Sequence, residues 1–289
     1  MKVGLTLSGG GQKGIAHLGV LKGMDEDGIK IHSFSGTSAG AIITSLYATG
    51  KSYDEICKII LNLEKNDILD LNINFWQVVT LKLALVFKVF DFRQTIYWSL
   101  FAGERIKSIL EKELPNVPIK DVENPPLAIT AVDIYTGQDI IFTNRKKKLE
   151  HFGVVIDDIP LPQAVRASMA IPFIYSGVRW KEYYFIDGGL TNNIPTKLLK
   201  FLEADKTIAV DVSEKPPYKE KPSNIVDMGG RIVSIAIDSS RYHTIPDVLL
   251  EPDTSSVSLG DFSITDKLVE KGYDEYKRNK DAINNLFLQ

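Results

Sequence analysis

Two short apolar runs near the amino terminus each stop at a turn built of small residues, and this pairing constrains the chain more than any other feature. Val3–Leu7 leads into Ser8-Gly9-Gly10-Gly11, and Ile31–Ser35 leads into Gly36-Thr37-Ser38-Ala39-Gly40. A helical pattern follows each turn, over Gly14 to Met24 and over Ala39 to Ala48. Strand-like and helical segments continue to alternate, which predicts a layered α/β domain and argues against a bundle or a sandwich. Gly50 fits a helix stop, Tyr53–Asn62 reads as an amphipathic helix, and Gly103–Leu114 reads as a charged one closed by Pro115 and Pro118. Further strand-like runs lie at Leu127–Val132, Gln138–Phe142, Val178–Ile186 and Thr207–Val212, followed by a surface loop, Glu214–Pro222. The tail from Ser263 to Leu288 reads as one long polar helix. With no repeat and no convincing linker, residues 1–289 are expected to form a single domain.

Composition narrows the function classes. The 289 residues carry 34 Lys+Arg against 37 Asp+Glu, a net charge of −3, which lacks the basic footprint of a dedicated nucleic-acid binder. A single cysteine, Cys57, excludes an internal disulfide framework and a cysteine-rich metal site. Met1 to Leu7 passes directly into the glycine turn without the roughly 7–15 apolar residues of a signal peptide. The most apolar stretch, Phe75 to Phe92, contains Lys82, Lys88 and Asp91 and fails as a membrane span. The expectation is a soluble cytoplasmic protein, with peripheral contact at the inner membrane surface left open.

Gly36-Thr37-Ser38-Ala39-Gly40 matches G-x-S-x-G between a strand and a helix, the setting in which a sharp turn projects a nucleophilic serine hydroxyl. The alternative is that Ser38 simply caps the helix. Gly9-Gly10-Gly11-Gln12-Lys13-Gly14 also satisfies the dinucleotide pattern G-x-G-x-x-G. Its supporting acidic residue is missing, because the second strand ends in the serine turn. A Walker loop fails as well, since Lys13 precedes Gly14 and no Lys-Ser/Thr follows. Consecutive glycines at a strand end do offer unobstructed N–H groups of the kind an oxyanion hole requires. Lys13 would steady this loop or attract an anionic substrate, and a plain turn before a helix remains the alternative for the glycines.

A conventional serine hydrolase needs a histidine base, yet His17, His32, His151 and His243 all stand in contexts that read as structural or exposed. A carboxylate is the other option. Asp187 ends the run Phe185-Ile186-Asp187 and precedes Gly188 and Gly189, which open space beside it, although Asp-Gly alone reads as a hairpin turn.

The glycine loop after the first strand, the serine turn after the second, and Asp-Gly-Gly 149 residues beyond the serine (187 − 38) together resemble the patatin-like phospholipase family. The segment Ala164 to Pro172 is similar to the helix and turn that precede the family's Asp-Gly-Gly, and Asn192-Asn193-Ile194-Pro195 to its continuation. Pro252-Asp253 and Gly272-Tyr273 extend the likeness through most of the chain. Lys13 departs from the arginine that members often carry, which keeps the charge and loses the planar fork. The resemblance implies a three-layer α/β/α fold around a mainly parallel sheet and a lipid acyl hydrolase that needs no metal or cofactor. It casts Ser38 as nucleophile, Asp187 as its base, and Gly9, Gly10 and Gly11 as oxyanion donors, with Gly14, Gly36, Gly40, Gly188 and Gly189 supporting the motifs. The implied partner is a phospholipid or other fatty acyl ester, with no nucleic acid. Some relatives self-associate, so a homodimer is compatible. An acyltransferase using the same pair, and a non-catalytic lipid-binding module, are the alternatives.

The aromatic segment from about residue 74 to 101 matches no pattern of that family and is the expected acyl pocket or lid, with core packing as the other reading. Arg145-Lys146-Lys147-Lys148 reads as a solvated loop, with contact to anionic lipid as the minority reading.

Overall fold

The computed structural model describes residues 1–63, 99–213, 216, 221–222, 225–240, 244–255 and 264–287. Most of the aromatic segment, His243 and much of the expected surface loop lie outside the described residues. A nine-stranded sheet organises the rest. Its strands are β1 (Val3–Leu7), β2 (Ser33–Gly36), β4 (Leu127–Asp133), β5 (Asp139–Thr143), β6 (Val154–Ile156), β8 (Val178–Trp180), β9 (Tyr183–Asp187), β10 (Lys206–Val210) and β11 (Val248–Leu250). They run in the order β11-β10-β1-β2-β4-β5-β6, with β9 paired to β4 and β8 paired to β9. Strands β3 (Ser99–Phe101) and β7 (Phe173–Tyr175) form a separate parallel pair.

The ladder from β11 through β10, β1 and β2 to β4 is parallel, and β5 and β9 join β4 antiparallel. Alternation along β1 explains the layering. Val3, Leu5 and Leu7 face one core with Leu18, Leu21, Ile43 and Leu46 of helices α1 (Ala16–Glu26) and α2 (Ala39–Ala48). Gly4 faces the other side, against Leu199 of the helix Thr196–Phe201. A smaller cluster, Ala128, Ile141, Val155, Leu198 and Leu202, fills that second interface. Both faces are therefore covered, as a parallel sheet requires. The expected three-layer α/β/α architecture holds.

Helix α3 (Tyr53–Leu61) opens with a capping box between Ser52 and Glu55, and α4 (Glu104–Glu113) with Gly103. After the short helix α5 (Lys146–Leu149) come α6 (Leu161–Ser168), α7 (Gly189–Asn192), α8 (Thr196–Phe201), α9 (Ile225–Ser239) and α10 (Thr265–Asn285). The long polar tail helix is thus present as α10. It lies across α1 at very short range, because Gly19 and Gly272 bring the two backbones together. Tyr273 and Tyr276 donate their hydroxyls to Glu26 and Asp27 at 2.6 Å each, fastening the crossing at its edge.

Three local features differ from the expectations. The run Val178–Ile186 is a hairpin of two strands, turning at Lys181 with φ of 52°. The hairpin therefore lies before Asp187, not at Asp187-Gly188, where the chain instead enters α7. Helix α9 has no counterpart among the expected elements, since its Gly229-Gly230 pair interrupts an otherwise amphipathic pattern.

Candidate active site

The site forms where β2 stops. Strand β2 pairs with the first half of β4, ending with Gly36 opposite Ile129, and the chain then turns away at Thr37. The vacated edge of β4 is taken up by β9 running the other way, which sets Asp187 opposite Ala131. Ser38 and Asp187, 149 residues apart in the chain (187 − 38), are thereby delivered to one edge of one strand. Open α/β sheets place ligand sites at such changes of strand order.

Ser38 has φ of 52° and ψ of −119°, a strained conformation for a residue with a side chain. It occupies the N-cap position of α2, yet its side chain makes no capping hydrogen bond. The hydroxyl instead faces the Asp187 carboxylate, close enough to favour its charged form. The capping alternative therefore fails, and the strain is held by neighbours. The Ser38 N–H donates to Ser168 Oγ at 2.9 Å, and the Thr37 hydroxyl donates to the Asn192 carbonyl at 3.0 Å. Gly40 must be glycine, because a Cβ there would come within 2.1 Å of the Leu7 carbonyl oxygen. The turn is thus pressed onto the end of β1, and Gly36 and Gly14 are closely packed at its two sides.

Asp187 is buried, 3% exposed. Burial pushes its pKa up to about 7, against the opposing pull of the Gly189 N–H and the Ser38 hydroxyl. The Gly189 N–H donates to Asp187 Oδ1 at 2.7 Å, and the Asp187 N–H donates to the Ala170 carbonyl. Gly188 lies against the Thr130 backbone, which a Cβ would approach to 2.5 Å. A carboxyl that ionises near neutrality beside a serine hydroxyl is suited to accept its proton.

The glycine loop passes directly by Ser38, whose Cβ lies 3.2 Å from where a Cβ of Gly9 would be. The expectation of three open donors is corrected at Gly9. Its N–H is donated to Asn193 Oδ1 at 3.1 Å, so it anchors the loop. The Gly10 and Gly11 N–H groups have no hydrogen-bond partner among the described residues, which leaves two donors available. Lys13 is buried, and its N–H closes the turn onto the Gly10 carbonyl at 3.1 Å.

His17 is fully buried and donates from Nε2 to the Ser8 carbonyl at 3.0 Å. Burial pulls its pKa down to about 4. It supports the loop as a neutral ring. The folded protein therefore binds one proton fewer than the unfolded chain between pH 4 and 6.5, so His17 subtracts stability as pH falls through that window. A His17→Gln variant is expected to lose that rising contribution of up to about 1.4 kcal/mol per pH unit and to expose the falling slope that Asp187 gives over the same window, read from urea melts at about pH 5 and 6.5.

The sequence alone suggests no individual role for Ser168, Thr130 or Asn193. Thr130 bonds the Thr37 hydroxyl at 2.7 Å. Asn193 and Ser168 do fall within the family-like segments, which is the signal that could have found them; Thr130 carries none. The run Arg145 to Lys148 lies beside the start of β4, at the end of the strand opposite Asp187, with Arg145, Lys146 and Lys148 engaged by Glu123, Asp157 and Glu203. Among the described residues no cluster of three or more His, Cys, Asp or Glu side chains is placed to hold a metal ion. No helix among them is long and apolar enough to cross a membrane.

A mostly parallel sheet with a strained serine turn, a buried carboxyl and a glycine loop at its strand-order switch defines a class of α/β protein, and sequence comparison assigns it. The patatin-like phospholipase family model matches residues 5–200, and the chain belongs to that family. An uncharacterized protein of Bacillus subtilis, YqhO, is 29% identical over 226 residues, covering 75% of this chain and 72% of that one. An uncharacterized NTE family protein of Mycobacterium tuberculosis, MT2641, is 25% identical over 93% of this chain, which spans 45% of its length. The fold is similar to that of VipD from Legionella pneumophila, with a TM-score of 0.57 at 17% identity over 97% of this chain and 67% of that one.

Proposed function

We propose that this protein hydrolyses fatty acyl esters of lipids through a Ser38–Asp187 dyad. The observation that carries the reading is a strained, capping-free serine hydroxyl set beside a buried carboxyl whose pKa is about 7. Asp187 takes the proton as Ser38 Oγ attacks the ester carbonyl, and the tetrahedral oxyanion is held by the Gly10 and Gly11 N–H groups. The positive end of α2 adds to that stabilisation. Asp187 then gives its proton to the departing alcohol, and the same carboxylate activates the water that releases the fatty acid.

Family membership supports lipid as the substrate class. So does exposed apolar surface on α9, whose other face packs beside the dyad. Ile237 of α9 packs on Gly189, and Ser240 just beyond the helix bonds the Gly189 carbonyl. The same helix exposes Met228, Ile232 and Ile235 along one stripe, and the exposed Phe173 ring lies on Gly229.

The test is hydrolysis of p-nitrophenyl esters from short to long acyl chains, with fluorophosphonate labelling alongside. Turnover that rises with chain length, and label on wild type but not on Ser38→Ala, is the expected result. The rate should also rise with pH through about 7 as Asp187 ionises and then level off. Ligand binding without turnover or labelling would favour the non-catalytic lipid-binding alternative. Acyl transfer to added glycerol exceeding release to water would favour the acyltransferase.

A further inference from the structure

The three parts of the dyad site come from three separate regions of the chain, and one short turn touches all of them. Asn193 is wholly buried at the end of α7, shortly after Gly188. Its Oδ1 accepts the Gly9 N–H at 3.1 Å. The same atom lies 2.9 Å from the position a Cβ of Gly189 would take, a position also 3.0 Å from Asp187 Oδ1. The carbonyl of the preceding residue, Asn192, accepts the hydroxyl of Thr37, the neighbour of Ser38. The Asn192–Asn193 turn therefore binds the glycine loop and the serine turn while continuing directly from the aspartate.

A loop of three glycines has wide backbone freedom, so its N–H groups face a developing oxyanion only if something fixes the loop. At Gly9 the N–H is held by the Asn193 side chain and not by another part of the backbone. The other end of that amide, Nδ2, is buried without a hydrogen-bond partner. Burying an unpaired amide donor is unfavourable, which a purely structural residue at this position would avoid.

We propose that Asn193 is the positioning residue of the oxyanion loop: its carbonyl holds Gly9 so that the Gly10 and Gly11 N–H groups are fixed toward Ser38 Oγ before substrate arrives. The inference rests on the hydrolase reading above. Asn193→Leu keeps the branched shape but removes the acceptor for Gly9. It is expected to lower kcat by about 10²–10³-fold, the loss typical of an oxyanion donor. KM should change by less than about threefold, since loop order is needed in the transition state and not for uniform binding. Asn193→Asp keeps an acceptor for Gly9 and should stay within about tenfold of wild-type kcat.

A long-chain alkyl trifluoromethyl ketone, which forms a tetrahedral oxyanion on the serine, separates positioning from general support. Asn193→Leu should weaken the ketone by the same factor as kcat and leave binding of the fatty acid product unchanged. Parallel weakening of ketone and fatty acid, an equal loss in the Leu and Asp variants, or wild-type kcat in Asn193→Leu would each overturn the proposal. If Asn193→Leu does not fold, Asn193→Ser, too short to reach Gly9, is judged by the same ketone-to-acid ratio. Ser38→Ala, run in parallel, keeps the two ideas apart. Wild-type turnover in Ser38→Ala would bring down the dyad reading and this inference together, whereas an inactive Ser38→Ala with a fully active Asn193→Leu would remove only the inference.

Discussion

Asp187→Asn is expected to abolish ester hydrolysis and, at about pH 8, to make the protein harder to unfold. The first effect follows from removing the base, for which a loss of about 10³–10⁴-fold in kcat is the expectation. The second follows from linkage. Asp187 has a folded-state pKa of about 7, raised from 3.8. The folded state therefore holds a proton that the unfolded chain has released, and stability falls as pH rises from about 4 to 7. Each pH unit in that window costs about 1.4 kcal/mol, so above about pH 7 the accumulated penalty is about 4 kcal/mol. A neutral amide avoids it, but its own N–H donors need acceptors in a buried place, so a net gain of about 2 kcal/mol is expected. In a chain of this size that corresponds to a melting temperature higher by about 3 °C.

The stability gain should vanish at about pH 4, where the unfolded chain also begins to hold the proton and the penalty on the buried carboxyl falls below about 1 kcal/mol. Thermal melts of the two proteins at about pH 4 and pH 8 measure it, and an unchanged or lower melting temperature at the higher pH would contradict the burial of a charged carboxylate. A second signature comes with it. Between about pH 5 and 6.5 Asp187 and His17 pull stability in opposite directions, so the wild type is nearly flat there. Asp187→Asn should expose the rising slope of His17. Activity and stability thus move oppositely at one residue, as is common where a site holds an unfavourable group in place.

Gly272→Ala is expected to destabilise the fold by about 3 kcal/mol or more, although the residue lies far from the dyad in the chain. A Cβ on Gly272 would sit 1.9 Å from the Ala16 carbonyl oxygen, and one on Gly19 would sit 1.9 Å from that of Val269. Both obstacles are backbone atoms, so no side chain can swing aside and α10 must lift off α1. Gly230 is the control, since a Cβ there meets nothing within 4 Å in a helix. Gly230→Ala should be neutral or stabilising by roughly 0.5–1 kcal/mol through helix propensity. Urea denaturation of the three proteins measures the difference. Gly272→Ala should cost activity as well, because α1 grows out of the glycine turn and carries His17, which bonds the Ser8 carbonyl.

Much of the architecture was legible along the chain. The strand Val3–Leu7 and the helix Ala39–Ala48 have the expected bounds, because alternating or periodic apolar residues and small-residue stops are local signals. Ser38, Asp187 and the glycine loop were readable for the same reason, each being a short motif next to a strand. Helix α9 was not, since two adjacent glycines weaken its local pattern and packing supplies what propensity lacks. Gly9 shows the limit most clearly. Its sequence context promises an open N–H, and only the fold reveals that Asn193, 184 residues away, has taken it.

By itself the sequence determined the class of fold and the chemical identity of the residues proposed as the dyad, because strand–turn–helix patterns and the residue types at their ends are properties of neighbouring residues. Tertiary structure alone decided that β9 replaces β2 along the edge of β4, that Asp187 is buried deeply enough to ionise near pH 7, and which loop amides stay open. Strand order, desolvation and hydrogen-bond competition depend on contacts between residues distant in the chain, and no local pattern encodes them.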